Sequence, residues 1–526
     1  MDFIVTMFVL FVVSSFTVTS TNAVETVEKV EVSNLKASNV LDIGILKRDD
    51  FPDDFIFGAG SSAYQVEGAA NQGGKGPSIW DTYANDHAER IKDGSNADIT
   101  VDQYHRYKED VEIVKDQNMD SYRFSISWPR ILPKGRLSGG INQEGITYYH
   151  NLIDELLKKD ITPFVTLFHW DLPQVLETEY GGFLSPQIID DFHDYADLCF
   201  KEFGNKVTHW VTLNEPQMFT KGGYALGTYA PGRCSNPPCQ DGNSGTEPYK
   251  VTHNLILAHA KVVHLYKSTY QKKHQKGKIG ITLNTNWYMP FGDNNIPDKK
   301  AADRALDFQF GWYMEPLTTG DYSKSMRAIV KDRLPKFTEL QSREVNGSFD
   351  FIGINYYTSN YVKNTPLQDN AKPSYTTDPM TELSFNKSGI PLGPRAAAVW
   401  LYVYPRGLRD LLIHIKDKYN NPAVYITENG MNELNDPTLS LEEAILDTYR
   451  IDYYYRHFHY IHSAIKSGSN VKGFFAWSLL DSFEWVDGFT SRFGLIFVDY
   501  KNGLKRHPKL SAQWLKNFLH IPGWLG

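Results

Sequence analysis

The 526-residue sequence predicts an α/β protein, a single (β/α)8 barrel of the TIM type with long insertions in the loops that follow its strands. Eight short runs rich in β-branched and aromatic residues alternate with segments of helical apolar spacing. No Gly-x-Gly-x-x-Gly turn follows a strand, which disfavours the main alternative, an open doubly wound sheet. The candidate strands are residues 55–66, 121–128, 163–170, 209–215, 278–287, 349–357, 423–428 and 471–479.

The segments between these strands are predicted to be crossover helices. Leu408, Leu411, Leu412 and Ile415, for example, recur at the spacing of one helix face. Hydrophobic residues make up 41% of the chain, which is enough to bury a large core.

The first 50 residues differ in composition and patterning from the rest of the chain. Residues 3–13 are apolar but too few to span a bilayer, and small and polar residues follow them up to Ala23. We therefore predict a signal peptide over residues 1–23, a loose polar leader over 24–50 and one barrel domain over 51–526. A protein of this kind enters the secretory pathway and has no membrane anchor after the signal peptide is removed.

The charge balance argues against a nucleic-acid partner. The chain has 54 Lys and Arg against 62 Asp and Glu, a formal net charge of −8, and it lacks the basic face that phosphate contacts require. Its 31 Tyr, 30 Phe and 11 Trp supply flat apolar surfaces on which ligands, sugars included, can stack. A neutral or small substrate is therefore expected.

Cysteine usage fits an oxidising compartment. Cys234 and Cys239 flank a short Ser-Asn-Pro-Pro turn, so a local disulfide is favoured over a metal site, which would need further thiol or imidazole ligands nearby. Asn346 and Asn386 begin Asn-x-Ser sequons that export would make available for glycosylation.

Polar side chains stand where the predicted strands end. Because these ends form the mouth of a (β/α)8 barrel, the side chains are expected to meet there. Glu215 and Glu428 end two different apolar strands, where an ionisable group is costly unless it is paired or used. Either one alone would more often be a structural ion-pair partner, but two carboxyls at one mouth fit glycoside hydrolysis by an acid and a nucleophile. The other polar or aromatic residues at or near strand ends are Gln65, Arg123, His169, Asn214, Asn355, Tyr357, Trp477, Glu484 and Trp485.

The segments around the two glutamates carry a family resemblance. Thr-Leu-Asn-Glu-Pro at 212–216 and Ile-Thr-Glu-Asn-Gly at 426–430 resemble the two signature motifs of family 1 glycoside hydrolases, and of plant β-glucosidases such as those of legumes in particular. Segments 121–128, 166–171 and 476–489 are similar to further motifs of that family. The resemblance extends over nearly the whole chain from residue 51 onward.

The resemblance implies an O-glycosidase, a retaining β-glucosidase that hydrolyses terminal β-D-glucosyl residues of small-molecule glycosides by double displacement. Glu215 would be the acid/base and Glu428 the nucleophile, with Arg123 favouring the ionised form of Glu428. Residues with implied contacts to substrate are Gln65, His169, Asn214 and Glu484 at the sugar hydroxyls, Trp477 and Trp485 at the sugar ring and its hydroxyls, Asn355 and Tyr357 beside the nucleophile, and Trp400 at the leaving group.

The same resemblance implies that no metal or organic cofactor takes part and that the partner is a small-molecule β-glucoside, in the extracellular space (apoplast) or the vacuole. A homo-oligomer is compatible with the sequence.

Glu215 argues against a thioglucosidase, in which Gln occupies that position. Gln217 and Val486 depart from the aromatic residues of many relatives, which implies a wider or more polar leaving-group side. Transglucosylation on the same scaffold and a non-catalytic carbohydrate-binding barrel are the alternatives.

Overall fold

The computed structural model describes residues 46–273, 275–367 and 372–520. The predicted signal peptide, 1–23, lies outside the described residues, as does most of the predicted leader. Within that leader, Leu46 is buried in the core and Arg48–Asp50 forms a turn of 3-10 helix. Ordered structure is therefore present before the boundary placed at residue 51.

Eight parallel strands close into a barrel, which confirms the predicted fold class. Each strand pairs with its neighbours in chain order, and the first strand pairs with both the second and the last. The strands are β1 Ile56–Gly60, β2 Ser121–Ser125, β3 Thr162–Phe168, β4 His209–Asn214, β5 Lys278–Asn284, β6 Phe351–Asn355, β7 Val424–Asn429 and β8 Val471–Ala476.

Most predicted strands are longer than the observed ones, and the ends of three belong to other elements. In the run 121–128, β2 stops at Ser125 and Trp128 begins a helix. The run 55–66 is only partly a strand, because β1 stops at Gly60 and Ala63–Val66 is a short helix. The run 278–287 is interrupted, since Trp287–Pro290 pairs with Ser359–Asn364 in a separate three-stranded sheet. A short apolar run has a similar composition in a strand and in a buried turn, and it is too short to show a period. The sequence pattern therefore does not distinguish the two structures.

Helices surround the barrel and fill the long loops between strands. The helices are Ala63–Val66, Ile79–Asp86, Gln103–Asp116, Trp128–Ile131, Gln143–Lys158, Gln174–Tyr180, Ile188–Phe203, Pro216–Thr220, Glu247–Leu265, Ile296–Gln309, Gly311–Thr319, Lys324–Val330, Glu339–Val345, Pro405–Lys418, Leu441–Ala444, Thr448–Lys466 and Leu510–Leu519. The remaining strands outside the barrel are Thr381–Ser384, Asn386–Lys387, Ile390–Pro391, Glu433–Leu434, Ser491–Arg492, Ile496–Asp499 and Lys505–Pro508.

An apolar cluster fills the lower part of the barrel. Phe164, Val211, Phe351, Tyr425 and Phe475 come from five different strands and pack against one another in the interior. The rings of Phe164 and Phe475 lie 4.9 Å apart, and those of Phe351 and Tyr425 lie 5.1 Å apart. This cluster closes the barrel from below, so polar side chains further along the same strands can face only the mouth.

Other expectations concern the loops and the surface. Cys234 and Cys239 form the predicted disulfide, with Cα atoms 5.5 Å apart. Asn346 and Asn386 are both exposed. Among the described helices, none has the length and apolar character needed to cross a bilayer. No group of three or more His, Cys, Asp or Glu side chains in the described part of the chain could hold a metal ion.

Candidate active site

Glu428 lies near the end of β7 and is held by two donors. Arg123 Nη1 donates to Glu428 Oε1 at 2.7 Å, and Tyr357 Oη donates to Oε2, also at 2.7 Å. The glutamate is 4% exposed. Burial raises the pKa of Glu428, while Arg123 and Tyr357 oppose that increase because they stabilise the carboxylate.

Arg123 links this carboxylate to Asn214 at the end of β4. It projects from β2, is fully buried, and donates from Nη2 to Asn214 Oδ1 at 2.5 Å. Its guanidinium places a positive charge beside Glu428.

Glu215 follows β4 directly and has a different environment. Its backbone is left-handed, with φ 42° and ψ 52°, and it caps the helix Pro216–Thr220. A non-glycine residue in this conformation costs about 1–3 kcal/mol, which surrounding contacts must offset. Asn355 Nδ2 donates to Glu215 Oε1 at 2.7 Å. Burial, with the nearby charge of Glu428, raises the pKa of Glu215 to about 8.

Two amide side chains connect the two carboxyls. Asn355 Nδ2 lies 2.7 Å from Glu215 Oε1 and 3.2 Å from Asn214 Oδ1, the atom that also accepts from Arg123. Thr427 Oγ1 donates to Asn355 Oδ1 at 2.7 Å and thereby fixes which end of the amide faces Glu215. Thr427 is absent from the sequence prediction, because nothing in the sequence distinguishes its hydroxyl from that of any other strand threonine.

His169 follows β3 and is neutral. Its Nε2 accepts from Asn214 Nδ2 at 3.0 Å, so the ring proton is on Nδ1. Burial, with the charge of Arg123, holds the pKa of His169 well below its ordinary value. Nδ1 has no hydrogen-bond partner among the described residues, which leaves one buried donor free for a ligand.

Gln65 and Glu484 form a polar pair from opposite ends of the chain. Gln65 lies on the short helix after β1, and its Nε2 donates to Phe483 O at 2.8 Å and to Glu484 Oε2 at 3.3 Å. Ser62 Oγ donates to Gln65 Oε1 at 2.8 Å. Burial raises the pKa of Glu484 well above its ordinary value.

Aromatic side chains flank these polar groups. The rings of Trp477 and Trp485 each lie 6.0 Å from His169 in near-parallel orientation, and both residues are buried. Trp400 differs, because it is 42% exposed and meets Tyr357 edge-on at 5.9 Å. Trp400 therefore stands at the rim, whereas the other two tryptophans belong to the interior of the site.

Asn284 is a second site residue that the sequence prediction omits. It ends β5, and its side chain lowers the pKa of Glu215 through a hydrogen bond. Gln309 Nε2 donates to Asn284 Oδ1 at 3.0 Å. The rule that strand ends meet at the mouth applies to β5 as to the other strands, so it could have identified this residue.

The two predicted departures on the leaving-group side have different surroundings. Gln217 is buried, and its Nε2 donates to the backbone carbonyl of Asn284. Val486 lies in the 3-10 turn Trp485–Asp487 and is half-buried. The Gln217 side chain thus contacts the last residue of β5.

Known proteins are similar to this chain in sequence and in architecture. The sequence model described as Glycosyl hydrolase family 1 matches residues 47–523. A non-cyanogenic β-glucosidase of Trifolium repens is 67% identical over 505 residues, which cover 95% of this chain and 100% of that protein. An isoflavonoid 7-O-β-apiosyl-glucoside β-glycosidase of Dalbergia nigrescens is 58% identical, covering 92% of this chain and 87% of its own.

Solved structures give the same result. A mutant of the rice Os3BGlu6 β-glucosidase, in a covalent complex with Glc from GA4GE, superposes with a TM-score of 0.89 at 48% identity. The superposition covers 90% of this chain and 100% of the rice chain. With the sequence match and the barrel geometry, this establishes that the chain belongs to glycosyl hydrolase family 1.

Proposed function

We propose that this protein is a retaining β-glucosidase that removes terminal β-D-glucosyl residues from small-molecule glycosides, with Glu428 as nucleophile and Glu215 as acid/base. The observation that carries the proposal is the unequal environment of two carboxyls at one barrel mouth. Glu428 accepts from a cation and a phenol, while Glu215 accepts from an amide and has a pKa raised to about 8. A site with one ionised and one protonated carboxyl suits double displacement.

In the first step, a carboxylate oxygen of Glu428 attacks the anomeric carbon and the glycosidic C–O bond breaks. Glu215 transfers its proton to the departing oxygen, so that the aglycone leaves as a neutral alcohol. Tyr357 and Arg123 hold the attacking carboxylate in place, and the proton stays on Glu215 until it is needed because burial disfavours the free anion.

The second step follows from the loss of one charge. Once Glu428 is an ester, its negative charge no longer raises the pKa of Glu215. Glu215, now ionised, takes a proton from water while the water oxygen attacks the anomeric carbon. The ester bond breaks, Glu428 regains its charge, and β-glucose is released with Glu215 protonated again.

The remaining polar groups are proposed to form hydrogen bonds with the sugar hydroxyls and so to select the sugar. Gln65, Glu484, His169 and Asn214 offer donors and acceptors in buried positions, where a misplaced hydroxyl would leave them unpaired. Trp477 is proposed to form the platform under the sugar ring. An acceptor alcohol in place of water would give transglucosylation by the same chemistry.

We also propose that the protein is exported and acts in the apoplast or the vacuole. The apolar segment within residues 1–23, the Cys234–Cys239 disulfide and the exposed sequon asparagines Asn346 and Asn386 support this route.

The test is hydrolysis of 4-nitrophenyl β-glucoside by the wild type and by Glu215→Ala. We expect the wild type to release 4-nitrophenol and the variant to be slower by about 10²–10⁴-fold, because water lacks its base. Azide needs no base, so adding it should restore turnover of Glu215→Ala and yield β-glucosyl azide. Full activity of the variant without azide, or no release of 4-nitrophenol by folded wild type, would overturn the assignment.

A further inference from the structure

A cavity of about 330 Å³ lies on the same face of the barrel as the active site. It is lined only by chain segments that follow β4, β5 and β6, and all of these segments lie at the mouth. Gln217 belongs to its wall and stands two residues after Glu215. Asn284 joins the cavity wall to Glu215, because Gln217 Nε2 donates to its backbone carbonyl and its side chain forms a hydrogen bond with Glu215.

The walls of this side cavity are largely aromatic and apolar. Tyr288, Phe308 and Tyr375 line it, and each of them is less than 10% exposed. A volume of this size is at the lower end of small-molecule sites, which suits one aromatic ring with a short substituent.

Lys221 is the one charged residue in the lining. Among the described residues, no carboxylate lies within 4.0 Å of its Nζ and no acceptor forms a hydrogen bond with it. Lys221 is half-buried, whereas the fully buried Lys509 is paired with Asp481 at 2.8 Å. Burial lowers the pKa of Lys221.

The segment between Glu215 and Lys221 separates the group that protonates the leaving oxygen from the lysine in the cavity. The helix Pro216–Thr220 begins at Glu215 and continues into the π-helical turn Lys221–Leu226. The six steps from Glu215 to Lys221 correspond to a rise of about 9 Å along the helix axis. An aromatic ring with a short acidic substituent has a comparable length.

We propose that the side cavity is a leaving-group subsite for aromatic aglycones that carry a carboxylate, with Lys221 as the residue that pairs with that carboxylate. The proposal rests on the proposed β-glucosidase function, since it assigns the chemical class of the aglycone. An anion beside Lys221 would restore the compensation that the apolar walls lack.

The experiment compares matched acid and ester substrates. The glucosides of 4-hydroxybenzoate and 4-hydroxycinnamate are assayed beside their methyl esters, and the acid-to-ester ratio of kcat/KM is measured for the wild type, Lys221→Met, Lys221→Arg and Lys363→Met. Lys363 is an exposed lysine that follows β6 on the same face but does not line the cavity, which makes it the matched control.

We expect the wild type, Lys221→Arg and Lys363→Met to prefer at least one acid over its ester by about tenfold. In Lys221→Met the ratio should fall to about one. A ratio near one in the wild type, or a ratio that Lys221→Met leaves unchanged, would overturn the subsite.

A binding measurement separates this result from failure of the proposed function. Calorimetric titration with free 4-hydroxycinnamate does not require hydrolysis, and we expect Lys221→Met to bind it about tenfold more weakly than the wild type does. If no glucoside is cleaved but this difference is seen, the cavity assignment stands and the catalytic one fails. If glucosides are cleaved and the two proteins bind the acid equally, the catalytic assignment stands and the cavity assignment fails.

Discussion

The two carboxyls of the site differ because their hydrogen-bond donors differ. Glu428 accepts from a guanidinium and a phenol, and charge-assisted bonds stabilise an anion about twice as well as neutral ones. Glu215 accepts from the Asn355 amide and has no cation beside it at salt-bridge distance among the described residues. The proton of the pair therefore belongs to Glu215, as an acid/base requires.

Thr427 is predicted to tune the acid/base through Asn355. Its hydroxyl fixes the amide so that Nδ2 donates to Glu215, and this bond lowers the pKa of Glu215. Thr427→Val removes the hydroxyl at nearly constant volume and lets the amide turn. Since the bond stabilises the anion, its loss raises the pKa, and the alkaline limb of kcat/KM against pH should move up by about one pH unit.

Thr427→Ser serves as the control, because it retains the hydroxyl and should leave the alkaline limb where it is in the wild type. An unmoved limb in Thr427→Val, or an equal shift in both variants, would show that Thr427 acts only through packing.

Site residues could be predicted from the sequence where their position at the end of a strand indicated a function. Glu215 and Glu428 follow apolar strands, and a carboxyl in that position is costly without a use. Thr427 carries no such signal of its own, because its importance comes from a side-chain partner on a neighbouring strand. Asn284 does end β5, but the predicted strand ran on to residue 287 and so placed its end elsewhere.

The loops are the elements that complete the site. The loop after β8 supplies Trp477, Glu484 and Trp485, and it packs directly on the loop after β7. At Gly430 a side-chain Cβ would clash with the carbonyl of Trp477, so glycine is required where the two loops touch.

Buried ion pairs hold the β8 loop in position. Asp481 is fully buried and accepts from Arg492 Nη1 at 2.6 Å, from Lys509 Nζ at 2.8 Å and from the Gly494 N–H at 2.9 Å. Burial acts to raise the pKa of Asp481, but Lys509 and Arg492 hold it below its ordinary value. Its stabilising effect is therefore present above the carboxyl pKa of the unfolded chain and is lost as the pH falls through the folded-state value.

Asp481→Asn is predicted to destabilise the fold, because it leaves two buried cations without their anion. The free energy of unfolding should fall by about 3–5 kcal/mol, measured by urea denaturation at neutral pH. Asp54→Asn is the matched control, since Asp54 pairs with Lys472 on the surface and its loss should cost less than about 1 kcal/mol. Equal urea midpoints for Asp481→Asn and the wild type would refute this role.

The type and order of the secondary-structure elements could be predicted from the sequence, but their first and last residues were less predictable. The alternation of strands and helices in the sequence corresponds to the observed barrel. The position of Gln65 on a helix after β1 was not predicted, because an apolar run of a few residues has no distinct helical period. The small sheet that contains Trp287–Pro290 depends on pairing between distant loops, which local patterns do not encode.

At the scale of the whole molecule, barrel closure brings together residues that are far apart in the chain. Arg123 and Glu428 are separated by 305 positions, and Gln65 and Glu484 by 419. The apolar cluster below them leaves only the mouth for polar groups. Catalysis by two carboxyls in this account depends on that closure, because no single segment contains both.

The most direct test is to identify the residue that forms the covalent intermediate. The protein is incubated with 2-deoxy-2-fluoro-β-glucosyl fluoride, whose fluorine slows hydrolysis of the ester, and is then digested and mapped by mass spectrometry. The account predicts one fluoroglucosyl ester on the peptide that contains Glu428, and none in Glu428→Gln. A label on Glu215, or complete turnover without any covalent label, would contradict the account.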